Sequence, residues 1–329
     1  MYPHWCRFML LFFLARNNPG QNALLSRFIM ILVLGEILFD VFPTHKRMGG
    51  ASFNFAFHLK KLGFPVRFVS RVGKDDLGRQ ILDFLTRHQF DVKDIQIDPD
   101  HDTGTVRVTM DNGTHAFAIT PDTAWTHLAL DQTLAQCLQT PWNLLYFGSL
   151  VQSSQSGRRV IRQVIRQKKP ETKVFCDINL RPDFHTPALI NDCLGAADIL
   201  KLNQEELRYI SDNCGQGAAP SMDRLMAFHD LELIILTLGR HGSQWITRDK
   251  NYHCPSFLPQ KIADTVGAGD AYAAVSAAGW LMGLPIKISM DLASKFAGYI
   301  CTIPGALSED EALYTKFRQR IHPNRDHNG

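Results

Sequence analysis

Several common features are missing from this chain of 329 residues, and each absence excludes a class of function. The seven cysteines form no Cys-x-x-Cys pair and no histidines stand at the spacing of metal ligands, so the sequence contains no metal-binding motif. We interpret these cysteines as buried reduced thiols. No run of lysine or arginine is present and the formal net charge is only +3, which does not indicate a nucleic-acid partner. Linkers, low-complexity tracts and repeats are also missing, so we predict a single domain.

A long apolar segment is missing from the N-terminal region as well. The run FMLLFFLA at residues 8–15 is shorter than the about 20 residues that cross a bilayer, and we expect no membrane partner. With Arg7 before it, this run has the character of a signal-peptide core, but residues 16–27 offer no clear small-x-small cleavage site. We interpret residues 1–29 as a non-native or disordered leader, with Met30 as an alternative start and a working export signal as the competing hypothesis. The expected location is therefore cytoplasmic.

What the chain does contain is a regular alternation of strand and helix patterns. Residues 65–73 (PVRFVSRVG) are typical of a buried strand, and residues 53–63 (FNFAFHLKKLG) of an amphipathic helix closed by a glycine. From residue 143 onward, short apolar strands alternate with helical segments. This alternation predicts an α/β fold with a central, mostly parallel sheet flanked by helices.

One segment departs from the alternation. Residues 104–119 contain two alternating strands around Asn112-Gly113, which is a strong signal for a β-hairpin. Together with residues 41–48, this hairpin predicts a small, reduced β lid over one edge of the sheet. We place the lid within a domain spanning residues 30–312 and expect a C-terminal tail at residues 313–329.

Polar residues follow several predicted strands at the ends where sheets of this kind bind ligands. They are Asp177 and Asn179, Asn203 and Glu206, and Thr237 and Gly239. Their positions predict a ligand site before any motif is considered.

The segment DTVGAGDAYAA, residues 264–274, places two glycines and a carboxylate where a helix begins. A helix N-terminus carries unpaired N–H groups and about half a positive charge, and Gly267 and Gly269 allow a phosphate to approach that backbone. Asp270 would repel the phosphate unless it accepts a proton from an attacking hydroxyl. The segment therefore has the parts of a phosphoryl-transfer site, with Asp270 as a simple helix cap as the alternative.

The same segment resembles the C-terminal signature of the PfkB, or ribokinase-like, carbohydrate kinase family. The run GGASFNFAFHLKKLGFPVRFVSRVGKDDLG at residues 49–78 resembles the N-terminal signature, and LKLNQEEL and TLGRHGS resemble two further family motifs. The motifs occur in family order and cover nearly the whole chain after the leader. The resemblance implies a ribokinase-like fold and an ATP-dependent sugar kinase that works with Mg²⁺.

The resemblance also carries roles to the residues of the C-terminal signature. It makes Asp270 the general base toward a sugar hydroxyl, and it makes the backbone of Gly267, Ala268 and Gly269 an anion hole. Asp264 is the first aspartate of the motif, where the family often holds a monovalent cation, so potassium is a candidate ion.

Two motifs are assigned by the resemblance to the nucleotide. Asn203 and Glu206 match the N-x-x-E element, which positions magnesium and phosphate partly through water, and Thr237, Gly239 and Gly242 match the loop beside the nucleotide. Alternatives stay open for both motifs. The first also suits a surface helix capped by Asn203, and the second suits a plain exit from a strand into a turn.

The resemblance assigns sugar contacts to the N-terminal half. Asp40 matches the aspartate that takes sugar hydroxyls, and Gly50 and Asn54 match the glycine-rich turn and its asparagine. A buried Asp or Asn needs hydrogen-bond partners, and a polyol supplies several. For Asp40, an exposed turn position before Pro43 is the alternative.

The choice of sugar is inferred from departures from the ribokinase pattern, since Ala51 and Leu38 replace its lysine and asparagine. The runs GGASFN and DINLRPDF resemble fructokinases, so fructose is favoured. Arg181 in the second run is a candidate contact for a phosphate or an anionic substrate group, with a surface ion pair as the alternative. Ribose, 2-keto-3-deoxygluconate and a nucleoside are the alternative substrates, and a non-catalytic sugar sensor is the alternative function. The expected assembly is a monomer or a homodimer.

Overall fold

The computed structural model describes residues 29–111, 114–214 and 222–323. The predicted leader up to residue 28, the predicted turn at Asn112-Gly113 and the end of the predicted tail from residue 324 lie outside the described residues. No helix within these three ranges is both long enough and apolar enough to cross a membrane.

Thirteen strands occur in the described ranges, and nine of them form the central sheet. In chain order they are β1 (Ile31–Leu34), β2 (Leu38–Val41), β3 (Lys46–Gly49), β4 (Val66–Gly73), β5 (Ile95–Asp98), β6 (Thr105–Asp111), β7 (Thr114–Ile119), β8 (Leu144–Gly148), β9 (Lys173–Asp177), β10 (Ile199–Asn203), β11 (Leu233–Thr237), β12 (Ser243–Ile246) and β13 (Asn251–Cys254). The order across the central sheet is β13-β12-β11-β10-β9-β8-β1-β4-β5. Every neighbouring pair from β5 to β11 is parallel, and β12 and β13 are antiparallel to their neighbours. The prediction of a mostly parallel sheet is confirmed.

Helices cover both faces of this sheet. They are α1 (Ala51–Lys61), α2 (Asp76–Arg87), α3 (Gln132–Gln139), α4 (Gln155–Gln167), α5 (Pro187–Ala196), α6 (Gln204–Asn213), α7 (Met222–Phe228), α8 (Ala268–Leu281), α9 (Ile286–Ile300) and α10 (Glu311–Ile321). Helices α1, α2, α8, α9 and α10 contribute to one apolar core, and α3 to α7 contribute to the other. Strand β1 shows how the two cores arise, because Ile31 and Val33 lie in the first while Leu32 and Leu34 lie in the second.

The remaining four strands form the lid, in the order β3-β2-β6-β7. Strand β2 is antiparallel to β3 and parallel to β6, and β6 is antiparallel to β7. The segments predicted for the lid, 41–48 and 104–119, contribute to this sheet. Because β2 begins at Leu38, Asp40 lies within a lid strand, and the alternative of an exposed turn residue before Pro43 is wrong.

The C-terminal helix α10 extends the packed domain beyond the predicted boundary at residue 312. Tyr314, Phe317 and Ile321 are buried, and their spacing of three and four residues gives the helix one apolar face. The hydroxyl of Tyr314 lies 2.9 Å from Nδ1 of His58, a buried residue of α1. Residues 313–323 therefore belong to the domain, although the sequence analysis placed them in a tail.

Candidate active site

The carboxyl ends of neighbouring strands bring the predicted polar residues to one edge of the sheet. The register places Gly148 of β8 beside Asp177 of β9, and Asp177 beside Lys201 of β10. It also places Asn203 beside Thr237 of β11. Residues that are far apart in the chain thus form one continuous polar edge. Ligands of open parallel sheets bind at this edge, beyond the carboxyl ends of the strands.

Asp270 lies in the first turn of α8, and only 8% of it is exposed. Its Oδ2 accepts a hydrogen bond of 2.8 Å from Nδ2 of Asn54 on α1, 216 positions earlier in the chain. Burial, reinforced by the nearby Asp177 carboxylate, raises the pKa of Asp270 to about 6 against the opposing effects of the Asn54 hydrogen bond and the charge of Lys201. A carboxyl group with this pKa is ionised at neutral pH and well placed to accept a proton.

The other polar atom of the Asn54 amide has no protein partner. Oδ1 of Asn54 is buried and makes no hydrogen bond with any described residue. Leaving a buried acceptor unsatisfied costs about 1–3 kcal/mol. The arrangement therefore fits a ligand that donates a hydrogen bond at this point, such as a sugar hydroxyl.

The turn before Asp270 requires glycine at one position for two reasons. Gly267 has φ 77°, which is the left-handed region, and a Cβ there would lie 2.6 Å from Cα of Ala306. The first helical hydrogen bond of α8 runs from the N–H of Ala271 to the carbonyl of Gly267 at 2.9 Å. The N–H groups of Gly269 and Asp270 precede this bond, so they are available to an anion.

A lysine that sequence reasoning missed lies beside this turn. Nζ of Lys201 donates to both carboxylate oxygens of Asp177, at 3.0 and 2.8 Å. The side chains of this ion pair are only 8% and 1% exposed. A Cβ built on Gly269 would lie 3.6 Å from Nζ, so the ammonium group faces the turn. The one signal in the sequence is a charged residue within the apolar run ADILKLN.

The charge of Lys201 is maintained although the residue is buried. Burial favours the neutral form, but the carboxylates of Asp177 and Glu206 outweigh it and the pKa of Lys201 is raised above its ordinary value. A permanent positive charge therefore stands next to the backbone N–H groups of the turn.

Asp40 supplies a second carboxyl group from the lid. A Cβ on Gly49 of the paired strand β3 would approach Asp40 Oδ2 to 2.8 Å, so glycine leaves room for this side chain. Burial raises the pKa of Asp40 to about 6, and the positive charge of Arg181 opposes the increase. Arg181 also opposes the increase in the pKa of Asp270. Its charge therefore acts on the carboxyl groups of both the lid and the main domain.

Glu36 is a second residue that sequence reasoning missed. It is 1% exposed, and its carboxylate accepts hydrogen bonds from the N–H and the hydroxyl of Ser52, at 3.1 and 3.0 Å. Gly50, with φ 108°, sits in the same turn, where a Cβ would lie 2.7 Å from the carbonyl oxygen of Glu36. Glu36 thus fixes the turn from which α1 carries Asn54 into the site. Its only signal is one carboxylate within the apolar run that contains β1 and β2.

Asn203 and Glu206 form a capping box at the start of α6. Oδ1 of Asn203 accepts hydrogen bonds from the N–H groups of Glu205 and Glu206, at 2.8 and 2.9 Å. Glu206 Oε2 accepts from the N–H of Asn203 at 2.7 Å, and Oε1 accepts from the N–H of Leu180 at 3.0 Å. The helix cap that was the alternative for Asn203 is therefore present. Each carboxylate oxygen of Glu206 keeps a second lone pair, which fits a contact with magnesium through water.

The loop after β11 is shaped by two glycines with positive φ. Gly239 has φ 56° and Gly242 has φ 94°. A Cβ on Gly242 would lie 2.0 Å from the carbonyl oxygen of Cys254, whereas one on Gly239 meets no described atom within 4 Å. Thr237 precedes them, and its hydroxyl donates to the carbonyl of Leu202 at 3.4 Å. The space beside Gly239 allows a ligand to approach this backbone.

Asp264 begins the turn that leads to Gly267 and has several protein partners. Its Oδ1 accepts a hydrogen bond from the N–H of Val266 at 3.0 Å, and its Oδ2 accepts from the N–H of Gly305 at 3.1 Å. Arg47, on the lid strand β3, reaches Oδ2 at 3.5 Å. Asp264 therefore joins the lid, the turn and the segment before α10, and its contact with a potassium ion stays a prediction.

Comparison with known proteins identifies the family. Residues 31–312 match the description "pfkB family carbohydrate kinase", which covers most of the chain. The protein belongs to the PfkB family. As a carbohydrate kinase of this family it is a phosphotransferase that uses an alcohol group as acceptor.

The relatives of this PfkB kinase are named for different substrates. A protein of Pyrococcus horikoshii described as an uncharacterized sugar kinase is 27% identical over 90% of this chain and 99% of its own. Its crystal structure superimposes with a TM-score of 0.77 at 25% sequence identity, and the match covers 89% of this chain and 99% of that chain. A fructokinase of Klebsiella pneumoniae is 30% identical over 84% of this chain and 95% of its own. A fructokinase of Vibrio cholerae O395, solved with fructose, ADP and calcium, has a TM-score of 0.71 at 25% identity over 88% and 98%. An aminoimidazole riboside kinase of Salmonella typhimurium is nearly as similar, at 26% over 74% and 78%.

In this PfkB kinase the structure brings most of the predicted site residues to one place. The hydrogen bond between Asp270 and Asn54 joins the predicted base to the predicted sugar side. The charge of Arg181 acts on Asp270 and on Asp40, which joins the lid to the same centre. Arg181 is half-buried and forms no ion pair with the carboxylates of the described residues; its Nη1 donates to Oδ1 of Asn179 at 2.6 Å in the loop beyond β9.

Proposed function

We propose that this protein is an ATP-dependent kinase that transfers the γ-phosphate to fructose and forms fructose 6-phosphate. The observation that carries the proposal is the position of the Asp270 carboxylate, which Asn54 holds beside the amides of a glycine turn. The named relatives support the choice of sugar, because two of them are fructokinases and one was solved with fructose.

Asp270 acts as the general base in the proposed mechanism. Asn54 bonds to Oδ2, and Oδ1 is the oxygen that we assign to accept the proton of the sugar hydroxyl. The hydroxyl oxygen attacks the γ-phosphorus, the bond from phosphorus to the β–γ bridging oxygen breaks, and ADP leaves with that electron pair. Proton transfer to a positioned base contributes about 10² to 10⁴ in rate.

The negative charge that develops on the transferring phosphoryl group is met by two kinds of donor. The N–H groups of Gly269 and Asp270 lie ahead of the helical ladder of α8, and the ammonium of Lys201 lies beside Gly269. These groups are fixed before the reaction begins, so little reorganisation is needed in the transition state. The turn of Gly267, Ala268 and Gly269 is the proposed anion hole, with the N–H groups of Gly269 and Asp270 as its open donors, because the N–H of Ala268 already donates to the carbonyl of Thr265 at 3.3 Å.

The sugar is proposed to lie between the lid and α1. The unsatisfied Oδ1 of Asn54 accepts a hydrogen bond from one hydroxyl, and the carboxylate of Asp40 accepts from others. Gly50 keeps the backbone of the turn close to the ligand, and Arg181 holds its positive charge near both carboxylates.

The nucleotide is proposed to lie along Thr237, Gly239 and Gly242, near the capped start of α6 at Asn203. When bound with ATP, magnesium neutralises charge on the β- and γ-phosphates, and Glu206 would contact it through water. Asp264 remains the candidate contact for potassium. A monomer or homodimer in the cytoplasm remains the expected state.

The test is a coupled assay of ADP release with fructose, ribose, 2-keto-3-deoxygluconate and adenosine, each with ATP and magnesium. We expect the highest kcat/KM with fructose and a decrease in kcat of at least about 10² in Asp270→Asn, with ATP affinity retained. Gly195→Ala is the matched control, since a Cβ there meets no described atom within 4 Å.

Each part of the proposal has its own contradicting result. A near-normal kcat in Asp270→Asn would remove the base role. A preference for another sugar would replace fructose but keep the kinase mechanism. No ADP release with any of the four compounds, from a folded protein, would favour the sugar sensor.

A further inference from the structure

Two histidines and one aspartate meet at the base of the lid, although no histidine pair in the sequence has the spacing of metal ligands. The chain enters the β6–β7 hairpin of the lid through residues 99–104, after β5, and leaves it through residues 120–127, after β7. His101 lies on the first segment, and Asp122 and His127 lie on the second. Each side chain offers one ligand atom, and these atoms all lie within 4.8 Å of one another.

The two imidazole rings are already in contact. The rings of His101 and His127 are stacked, with centroids 3.5 Å apart and an interplanar angle of 18°. Nε2 of His127 lies 2.7 Å from Oδ1 of Asp122. The three side chains therefore form one cluster that joins the two segments flanking the β6–β7 hairpin of the lid.

The tautomer of His101 is fixed by a buried carboxylate. Nδ1 of His101 lies 3.2 Å from Oδ1 of Asp98, which is 1% exposed. An ionised carboxylate only accepts hydrogen bonds, so the ring proton is on Nδ1 and the lone pair is on Nε2. The position of Asp98 is fixed in turn by a hydrogen bond of 2.7 Å from Nε of Arg71. A carboxylate that orients a histidine in this way is the usual support of a metal ligand.

The donor set selects the class of ion. Two imidazole nitrogens and one carboxylate oxygen suit zinc and similar transition metals, whereas magnesium and calcium prefer oxygen ligands only. Bonds of about 2.0–2.1 Å to a tetrahedral zinc place ligand atoms about 3.4 Å apart, so the 2.7 Å contact between His127 and Asp122 must open slightly.

The side chains have room for this adjustment. The exposed fractions of the side chains of His101, His127 and Asp122 are 29%, 33% and 77%. Asp122 also lines a cavity of about 360 Å³, which leaves space for its carboxylate to turn. Three protein ligands leave the fourth position for water.

We propose that His101, Asp122 and His127 form a binding site for a divalent ion of the zinc class, which ties together the two chain segments at the base of the lid. The site is separate from the magnesium that accompanies ATP, and it does not depend on the identity of the sugar. Binding would restrain the β6–β7 hairpin of the lid by cross-linking the segments before β6 and after β7.

The first test is calorimetric titration of the metal-free full-length protein with zinc chloride, with the absorption spectrum of added Co²⁺ as a second measure of coordination. We expect one saturable site of micromolar or tighter affinity. Asp122→Asn and the double variant His101→Gln/His127→Gln should weaken it by at least about tenfold. His253→Gln, at an exposed histidine outside the cluster, should bind as the unaltered protein does.

Hydrogen exchange tests the structural part of the proposal. Zinc should slow exchange in residues 99–104 and 120–127 of the unaltered protein and have no such effect in the double variant. Absence of saturable binding, or equal affinity in the double variant, would overturn the site. Binding at the cluster without slower exchange would overturn the restraint of the lid. Asp122 is largely exposed, so its substitution tests the site even if the double variant is poorly folded.

Discussion

The substitution Gly267→Ala adds one carbon atom at the turn that begins α8, and the structure gives two independent reasons for it to destabilise the fold. The backbone there has φ 77°, which L-residues adopt only with strain. The added Cβ would lie 2.2 Å from Cβ and 2.6 Å from Cα of Ala306. Since one of these atoms belongs to the backbone, the contact cannot be relieved by a side-chain rotation.

The expected magnitude follows from the two effects. A non-glycine residue in the left-handed region costs about 1–2 kcal/mol. Inserting an atom into a packed site costs about 1–3 kcal/mol more. We therefore expect Gly267→Ala to lower the free energy of unfolding by about 2–5 kcal/mol, a large part of the stability of a typical domain.

Two other glycines separate the effects. Gly239 has φ 56° but a Cβ there meets no described atom within 4 Å, so Gly239→Ala should show the backbone cost alone. Gly195 lies in α5 with neither restriction, and Gly195→Ala should leave stability unchanged or raise it by up to about 1 kcal/mol. Urea unfolding followed by circular dichroism measures all three variants. Equal stability of the Gly267 and Gly239 variants would refute the argument from Ala306.

Three further predictions concern the charged centre. Because Asp270, as the proposed base, must be ionised to accept a proton and its pKa is about 6, kcat/KM for the sugar at saturating ATP should fall as pH decreases below 6, with a slope that approaches about tenfold per pH unit, and a flat profile would contradict this. Asn54→Ala removes a hydrogen bond that favours the ionised carboxylate, so the midpoint of this profile should move to higher pH, and an unchanged or lower midpoint would count against the contact. Lys201→Met leaves the buried Asp177 carboxylate without its partner and should lower the free energy of unfolding in urea by about 3–5 kcal/mol. The double variant Lys201→Met/Asp177→Leu should recover most of that stability. No recovery would mean that the loss does not come from the unpaired carboxylate.

The sequence predicts those parts of the site that local chemistry defines. The glycines before Asp270, and the carboxylate itself, form a pattern that anion binding at a helix start explains without any tertiary information. The alternation of apolar strands with helical segments likewise predicts the parallel sheet. Asn54 was assigned through a family pattern, and its hydrogen bond to Asp270 then follows from the packing of α1 against α8.

The residues that sequence reasoning missed acquire their roles through register and packing. Lys201 meets Asp177 because β9 and β10 are adjacent in register, which no local pattern encodes. The cluster of His101 and His127 exists because the pairing of β6 with β7 brings the segments before and after this hairpin together. Helix α10 differs from these cases, because a local pattern does encode it. The spacing of Tyr314, Phe317 and Ile321 is visible in the sequence, but it lies beyond the last family motif and was assigned to the tail.

The position of Asp40 within a lid strand links the lid to the proposed binding of the sugar. Its strand β2 is hydrogen-bonded to β3 on one side and to β6 on the other, so the Asp40 carboxylate would move with the lid if the lid opened. The contact of Arg47 of β3 with Asp264, in the turn before α8, would break in the same movement. Such an opening would remove Asp40 from the proposed sugar site, while Asp270 and its glycine turn would remain assembled. The acceptor would then complete its own pocket by drawing the lid down, so that only a molecule able to bridge both halves is presented to the base.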